Sequence, residues 1–307
     1  MNLWAITSYF NPARYRQRLR NFRTFRSRLR GPLMAVELAV DQEFDLAPSD
    51  ADIVLRVRDG DVMWQKERLL NIAVSRLPAD CTAVAWIDCD VILERRDWVA
   101  AAERELRHAP LVQLFRDRYD LGPGILPDRL EDPSSFANGQ SVAYRVKAGV
   151  LPSVLNEVGC VTRWSASPGF AWAARRELLA RHGLYDAGIL GGGDRAFAGA
   201  AFGQMRVVAE PWHADTRRLE HYRAWAEPLY AAVRGHVEYL DGAMFHLWHG
   251  DRVHRGYRTR YRNLLPWAFD PDRDLRQSPE GAWRWASDKP GMHAYVRAYF
   301  HSRREDD

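Results

Sequence analysis

Three short stretches of this 307-residue chain bring together residue types that can do chemistry. The first is Trp86-Ile87-Asp88-Cys89-Asp90, two carboxylates one residue apart at the end of an apolar run. Extended backbone sends residues i and i+2 to the same side, so Asp88 and Asp90 can face one site while Cys89 points away. Two hard oxygen ligands suit Mg²⁺ or Mn²⁺ shared with substrate phosphates. Asp59-Gly60-Asp61 repeats the spacing, but its central glycine reads as a turn.

The second stretch is His246-Leu247-Trp248-His249. This spacing puts both imidazoles on one face of a helical turn, and a bend would also converge them. Imidazole joins carboxylate readily around Mn²⁺ or Zn²⁺, although a pair of histidines hydrogen-bonded at a domain edge would look the same in sequence. No H-E-x-x-H pattern accompanies the pair, which leaves a zinc-protease reading unsupported. The third stretch, Gly191-Gly192-Gly193-Asp194, lets backbone approach a bulky ligand and starts a helix with a carboxylate. Asp194 is either a helix cap or a general base, and the two roles are compatible. The glycines match neither a P-loop nor a G-x-G-x-x-G fingerprint, which argues against ATPase and dehydrogenase chemistry.

The elements that must position these residues alternate. Residues 3–8 read as a buried strand, then Asn11 as a helix cap with Pro12 at the first helical position. Tyr15, Leu19, Phe22, Phe25 and Leu29 give that helix an apolar face, and eight arginines between Arg14 and Arg30 cover the rest without one acidic residue. Strands from Pro32, from Asp52 and up to Asp88, with helices over about 64–77 and 98–107, predict a mostly parallel sheet with helices on both faces. Ligands of such sheets bind beyond the carboxyl ends of the strands. Further on come a strand at 111–115, a loop from Asp117 to Gln140, a strand at 170–173, a helix to about His182, a helix from Asp194, a strand from Met205 and helical segments from Asp215.

Composition is that of a folded protein: 47% hydrophobic, 27% charged and 12% aromatic. No apolar run approaches the roughly eighteen residues of a membrane span, and the amino terminus lacks a secretory signal pattern, so a cytoplasmic protein is expected. Cys81, Cys89 and Cys160 form no C-x-x-C pair and are expected reduced. Of 44 basic residues only Lys66, Lys147 and Lys289 are lysine; biased codon composition and a preference for forked contacts with phosphate both produce such an excess.

Taken together, these residues resemble those of the GT-A glycosyltransferases, and within them the branch of the β-1,4-galactosyltransferases and related bacterial enzymes. Trp64-Gln65-Lys66-Glu67-Arg68-Leu69-Leu70-Asn71 is similar to that branch's Phe-Asn-Arg-Ala-Lys-Leu-Leu-Asn, and Asp88-Cys89-Asp90 follows as its D-x-D. Pro168-Gly169-Phe170-Ala171-Trp172-Ala173 resembles Gly-Gly-Val-Ser-Ala, Gly192-Gly193-Asp194 resembles Gly-Gly-Glu-Asp, and His246 to His249 resembles Met-x-x-His. Gly193 stands where the branch has Glu, and Lys66 where it has Arg.

The resemblance implies a GT-A, Rossmann-like domain over residues 1–255, with a nucleotide-binding half to about residue 100, an acceptor half from 101, and an Arg- and Trp-rich extension over 256–307. It implies a metal-dependent, inverting transferase that moves a sugar from a nucleoside diphosphate, uridine by preference, to a carbohydrate acceptor. Asp90, His249 and His246 would hold Mn²⁺ or Mg²⁺, and Asp194 would act as base. Trp64, Lys66, Asn71 and Asp88 would contact the nucleotide, joined by Asn11 and Arg14 beyond the first strand. Gly169, Trp172, Gly192 and Gly193 would lie near the sugars. Two rival readings are a metal-dependent phosphohydrolase using the same acids and histidines, and a polyanion-binding protein using the arginine-rich helix. The same helix would also suit an anionic membrane surface; no nucleic-acid partner is expected.

Overall fold

The computed structural model describes residues 1–129, 139–149 and 165–307. The chain opens with β1 (Leu3–Phe10), α1 (Arg16–Arg28), β2 (Leu33–Leu38), β3 (Ile53–Val57), α2 (Lys66–Arg76), β4 (Ala83–Ile87), β5 (Val91–Leu93) and α3 (Trp98–Glu105). It continues with β6 (Leu111–Gln113), β7 (Asp117–Asp120), β8 (Gly139–Ser141), α4 (Val142–Lys147), β9 (Ser165–Ser167), β10 (Ala171–Arg175), α5 (Arg176–His182), α6 (Gly193–Ala201) and α7 (Thr216–Val233). The final part holds β11 (Val237–Tyr239), β12 (Ala243–His246), the hairpin β13 (Leu275–Gln277) and β14 (Trp283–Trp285), and α8 (Pro290–His301).

Seven strands form the central sheet in the order β3-β2-β1-β4-β10-β6-β11. Only β10 runs antiparallel to its neighbours, so the sheet is mostly parallel, as the alternation of strands and helices requires. A strand of such a sheet is covered on both faces, which is why β2 and β4 are buried along their whole lengths. The strand period of two divides their side chains between two cores. Ile6, Met34, Val84 and Trp86 pack with Leu69, Leu70 and Ala73 of α2 and Phe197 of α6. Leu3, Ala5, Leu33 and Ala83 pack with Phe22 and Phe25 of α1 and Trp98 of α3. A smaller sheet, β5-β12-β7-β8-β9, stands beyond the carboxyl end of β4. The turn carrying Asp88 and Asp90 joins the two sheets.

Several elements differ from expectation, each for a local reason. Helix α1 begins at Arg16 after Tyr15 instead of at Pro12, because Arg14 takes a positive φ of 56° that no helix continues. The Asn11 Oδ1 instead accepts the Tyr15 amide at 2.9 Å and closes a turn. The apolar Met205-Arg206-Val207-Val208 run is a 3₁₀ turn leading into a helical turn at Ala209–Trp212 and not a strand, with Val208 buried in the α2-side core. Part of the 117–140 segment is regular, since Asp117–Asp120 pairs with β12 as β7. Residues 130–138 and Cys160 lie outside the described residues, while Cys81 and Cys89 are free thiols.

The basic helix also differs. Its arginines find acids on other elements: Arg23 meets Asp50 at 3.8 Å, Arg26 meets Asp52 at 3.0 Å, and Arg28 pairs with Asp128. The helix is therefore not the single-sign face its own sequence suggests. Among the described residues no helix is long and apolar enough to cross a membrane.

Residues 256–307 fold onto the domain. The Gln65 side chain donates to the Trp283 carbonyl and accepts its amide, and the Tyr15 hydroxyl donates to the carbonyls of Phe300 and His301. Glu305, with no exposed surface, takes Arg18 Nε at 2.6 Å and Arg303 Nε at 2.5 Å. Burial disfavours its charge, yet Arg18, Arg303 and Arg255 outweigh burial and hold the carboxyl at about 2. Removing one partner of a buried pair strands the other charge. Glu305→Ala is therefore expected to lower stability by about 3–5 kcal/mol in urea unfolding; a loss under about 1 kcal/mol, the scale of a surface pair, would show that this contact does not hold the tail.

Candidate active site and metal centre

A cleft of about 270 Å³ opens where the two sheets meet, lined in part by Trp64, Lys66, Asp88, Asp90, Asp194, His246 and His249. The Asp88–Asp90 turn is pinned on both sides. The Asp88 amide donates to Phe170 O at 2.8 Å, and the Leu247 amide donates to Asp90 O at 2.8 Å. Strand β12 delivers His246 as its last residue, and the bend after it brings His249 alongside, with ring centroids 4.7 Å apart.

Both imidazoles aim Nε2 at one carboxylate: His249 lies 3.5 Å from Asp90 Oδ2 and His246 lies 3.9 Å from Asp90 Oδ1. Their other nitrogens are occupied. His249 Nδ1 lies 3.0 Å from the Leu247 carbonyl, an acceptor only, so Nδ1 carries the proton and Nε2 presents a lone pair. His246 Nδ1 lies 3.2 Å from Asp120 Oδ1. Burial, helped by Arg255 and His246, keeps His249 neutral by pushing its pKa well below the usual value. Burial also disfavours the Asp120 charge, but His246, Arg118 and Arg252 outweigh it and hold that carboxyl at about 2. A carboxylate bonded to the far ring nitrogen is the arrangement that orients a histidine toward a cation.

Among the described residues Asp90, His246 and His249 are a set whose ligand atoms lie within 4.8 Å of one another. Asp90 Oδ1 is buried and has no hydrogen-bond partner. A buried carboxylate oxygen left unpaired is costly, and a divalent cation would satisfy it. The residues present therefore fit a metal, and a mixed oxygen and imidazole set suits Mn²⁺ better than Mg²⁺.

Beside Asp88 the Lys66 Nζ bridges two acids, at 2.6 Å from Asp88 Oδ1 and 3.0 and 3.2 Å from the Asp194 oxygens. Burial opposes the ammonium, but Asp194, Asp88 and Glu67 outweigh it and raise Lys66 well above its usual pKa. Asp194 sits in the first turn of α6, whose N-cap is Gly192. Its side chain accepts from Lys66 and does not cap the helix. Gly169 makes room for it, since a Cβ there would overlap the Asp194 carboxylate.

Glu67 lies behind this pair, 6% exposed, accepting from Trp64 Nε1 at 3.1 Å. Its carboxylate fills the space a Cβ on Gly193 would need. Burial raises Glu67 to about 8, Asp194 and Asp88 add to the rise, and Lys66 opposes it. A carboxyl that keeps its proton in the folded chain, where the unfolded chain has lost it, costs stability as pH climbs from the ordinary glutamate range toward that value. Glu67→Gln retains the acceptor for Trp64 and removes that cost. The variant's melting temperature relative to the parent should rise between about pH 5 and about pH 8; a constant difference would show that Glu67 ionises as an ordinary glutamate.

Other sequence-derived candidates lie away from the cleft. Asn11 is buried and donates to Asp45 and to the Tyr15 carbonyl, and Arg14 sits on an exposed turn, 3.4 Å from Gln42. Asn71 ties α2 to Leu184 and Asp186. Trp172 is core: its ring stacks on Trp86 at 6.3 Å, and its Nε1 donates to the Pro168 carbonyl. Gly192, with φ of 100°, would overlap Trp212 if substituted, so Gly192 and Gly193 accommodate the protein's own side chains. Conversely, Arg18, Arg118, Asp120, Arg252, Arg255 and Arg303 line the cleft without having been singled out as site residues from sequence. The clustering of Arg and Trp in the tail was the available signal for the last of these.

No family model matches the chain, and no curated protein does. Among solved structures, glucosyl-3-phosphoglycerate synthase from Mycobacterium tuberculosis, crystallised with Mn²⁺, UDP and glucosyl-3-phosphoglycerate, is 13% identical, with a TM-score of 0.42 over 89% of this chain and 82% of that one. A mycobacterial protein is 14% identical, with a TM-score of 0.44 over 95% and 87%. S. aureus TarS 1-349 with UDP-GlcNAc is 12% identical, with a TM-score of 0.41 over 80% and 58%. Each likeness is distant; the cleft's own geometry is what bears on chemistry.

Proposed function

We propose that the protein is a glycosyltransferase that moves a sugar from a nucleoside diphosphate, uridine by preference, to a carbohydrate hydroxyl with inversion. The observation that carries this reading is the division of labour in one cleft: Asp90, His246 and His249 converge on a point suited to a divalent cation, while Asp194 stands apart from it on α6. A cation there would neutralise charge on a departing diphosphate. The chain itself supplies the remainder. Lys66 holds both Asp194 oxygens, which fixes the carboxylate toward the cleft, and Trp64 lines the same cleft beneath Arg303. Asp194 accepts the proton of the acceptor hydroxyl as that oxygen attacks the anomeric carbon.

A phosphohydrolase would use the same metal ligands but would need no acceptor. Screening nucleotide sugars for thermal stabilisation in the presence of Mn²⁺, then measuring nucleoside diphosphate release with and without carbohydrate acceptors, separates the two. Release that never depends on acceptor would overturn the transferase reading. The pairing of Arg23, Arg26 and Arg28 with acids reduces the net positive charge that a polyanion-binding or lipid-facing helix would present.

A further inference from the structure

The corner of the cleft built by the carboxyl-terminal segment carries more positive charge than the protein itself neutralises. Arg18, Arg255 and Arg303 all line it, and Glu305 is the single carboxylate within ion-pair distance of any of them among the described residues. Arg18 and Arg303 share that carboxylate. Arg255 makes no direct ion pair: it is 6% exposed, one guanidinium nitrogen donates to the His249 carbonyl, and its Nε is buried without a hydrogen-bond partner. Arg303 lies in turn over the Trp64 ring, 5.3 Å from its centroid.

We infer that Arg255 and Arg303 form a phosphoryl-binding subsite that operates without the metal. Guanidinium forks match phosphate oxygens in pairs, and the charge excess of this corner suits a dianion better than a carboxylate. Arg255 is anchored to the backbone of His249, so the subsite and the metal centre share one rigid segment. The phosphoryl group has two sources, the diphosphate of a donor or a phosphate carried by another ligand. The first source rests on the transferase reading; the subsite itself does not.

Isothermal titration of the full chain in EDTA at low salt, with inorganic pyrophosphate in one arm and inorganic phosphate in the other, tests this directly. The parent is expected to bind pyrophosphate, and Arg255→Met to bind it about 10- to 100-fold more weakly, the range for loss of charged hydrogen bonds. Arg20→Met, an exposed change on α1, should leave binding unchanged. Arg255→Lys, which keeps charge and loses the fork, should fall between. Should Arg255→Met melt early, Arg255→Lys and Arg303→Lys carry the comparison. Pyrophosphate binding tighter than phosphate assigns the subsite to a diphosphate; equal binding, again lost in Arg255→Met, assigns it to a single phosphoryl group. No binding by the parent in EDTA, or equal binding by Arg255→Met and Arg20→Met, would overturn the subsite. Sugar transfer is assayed separately, so pyrophosphate binding without any transfer would sink only the enzymatic reading.

Discussion

Asp90→Ala and His249→Ala are each expected to abolish Mn²⁺-dependent nucleotide binding while the domain stays folded. In the parent, a nucleotide at a hundred times its dissociation constant adds about 2.7 kcal/mol of stability. For a chain of this size that is a shift of several degrees, given about 2–4 °C per kcal/mol for somewhat smaller domains. In both variants the shift should vanish. The unliganded proteins provide the control. Asp90 Oδ1 is a buried oxygen without a partner, so its removal relieves a cost where most buried polar truncations add one. Asp90→Ala alone should therefore melt no lower than the parent, a result a structural carboxylate would not give. His246→Ala should lose less, because His246 stands farther from Asp90 than His249 does. Asp88→Ala should weaken nucleoside binding and free Lys66 from one of its two acids. An unchanged Mn²⁺-dependent shift in both Asp90→Ala and His249→Ala would remove the metal centre from this cleft.

What sequence made legible here is what local geometry decides. The alternation of elements predicts the mostly parallel sheet, and the D-x-D at the end of an apolar strand marks the cleft. A turn closed by the Val91 amide on Asp88 O, not extended backbone, brings both carboxylates there, and Cys89 lines the cleft with them instead of pointing away. The histidine pair was ambiguous for a local reason too: helix and bend both converge residues three apart, and only the β7–β12 pairing shows that a bend does it. The misses are tertiary. Asn11 and Asn71 have partners 34 and 115 residues away, and Trp172 stacks on Trp86 of another strand, contacts that no spacing rule supplies and that turn them to structural work. The cleft arginines were hidden in a chain whose cations are nearly all arginine. Gly193 reads as room for a ligand, yet the room belongs to Glu67, from an element more than a hundred residues earlier.

Asp194→Asn is expected to lower sugar transfer by roughly 10²- to 10⁴-fold, the range for a lost general base, with nucleotide-sugar affinity nearly unchanged. An acceptor hydroxyl is a poor nucleophile at neutral pH, and a single displacement needs a carboxylate within hydrogen-bond reach of it. Within the cleft Asp90 belongs to the histidines, Asp120 to His246, Arg118 and Arg252, and Asp88 to the turn beside the metal ligands. Asp194 is left, on a different element and held by one ammonium. Asparagine keeps its size and an acceptor oxygen for Lys66 but cannot take a proton. The competing account, a helix cap, predicts survival of both stability and turnover, because asparagine caps as well as aspartate; the structure already gives the cap position to Gly192. Loss of turnover with the melting temperature held therefore has one meaning. Near-normal turnover would pass the role to another carboxylate of the cleft, first Asp88, which shares Lys66 with Asp194.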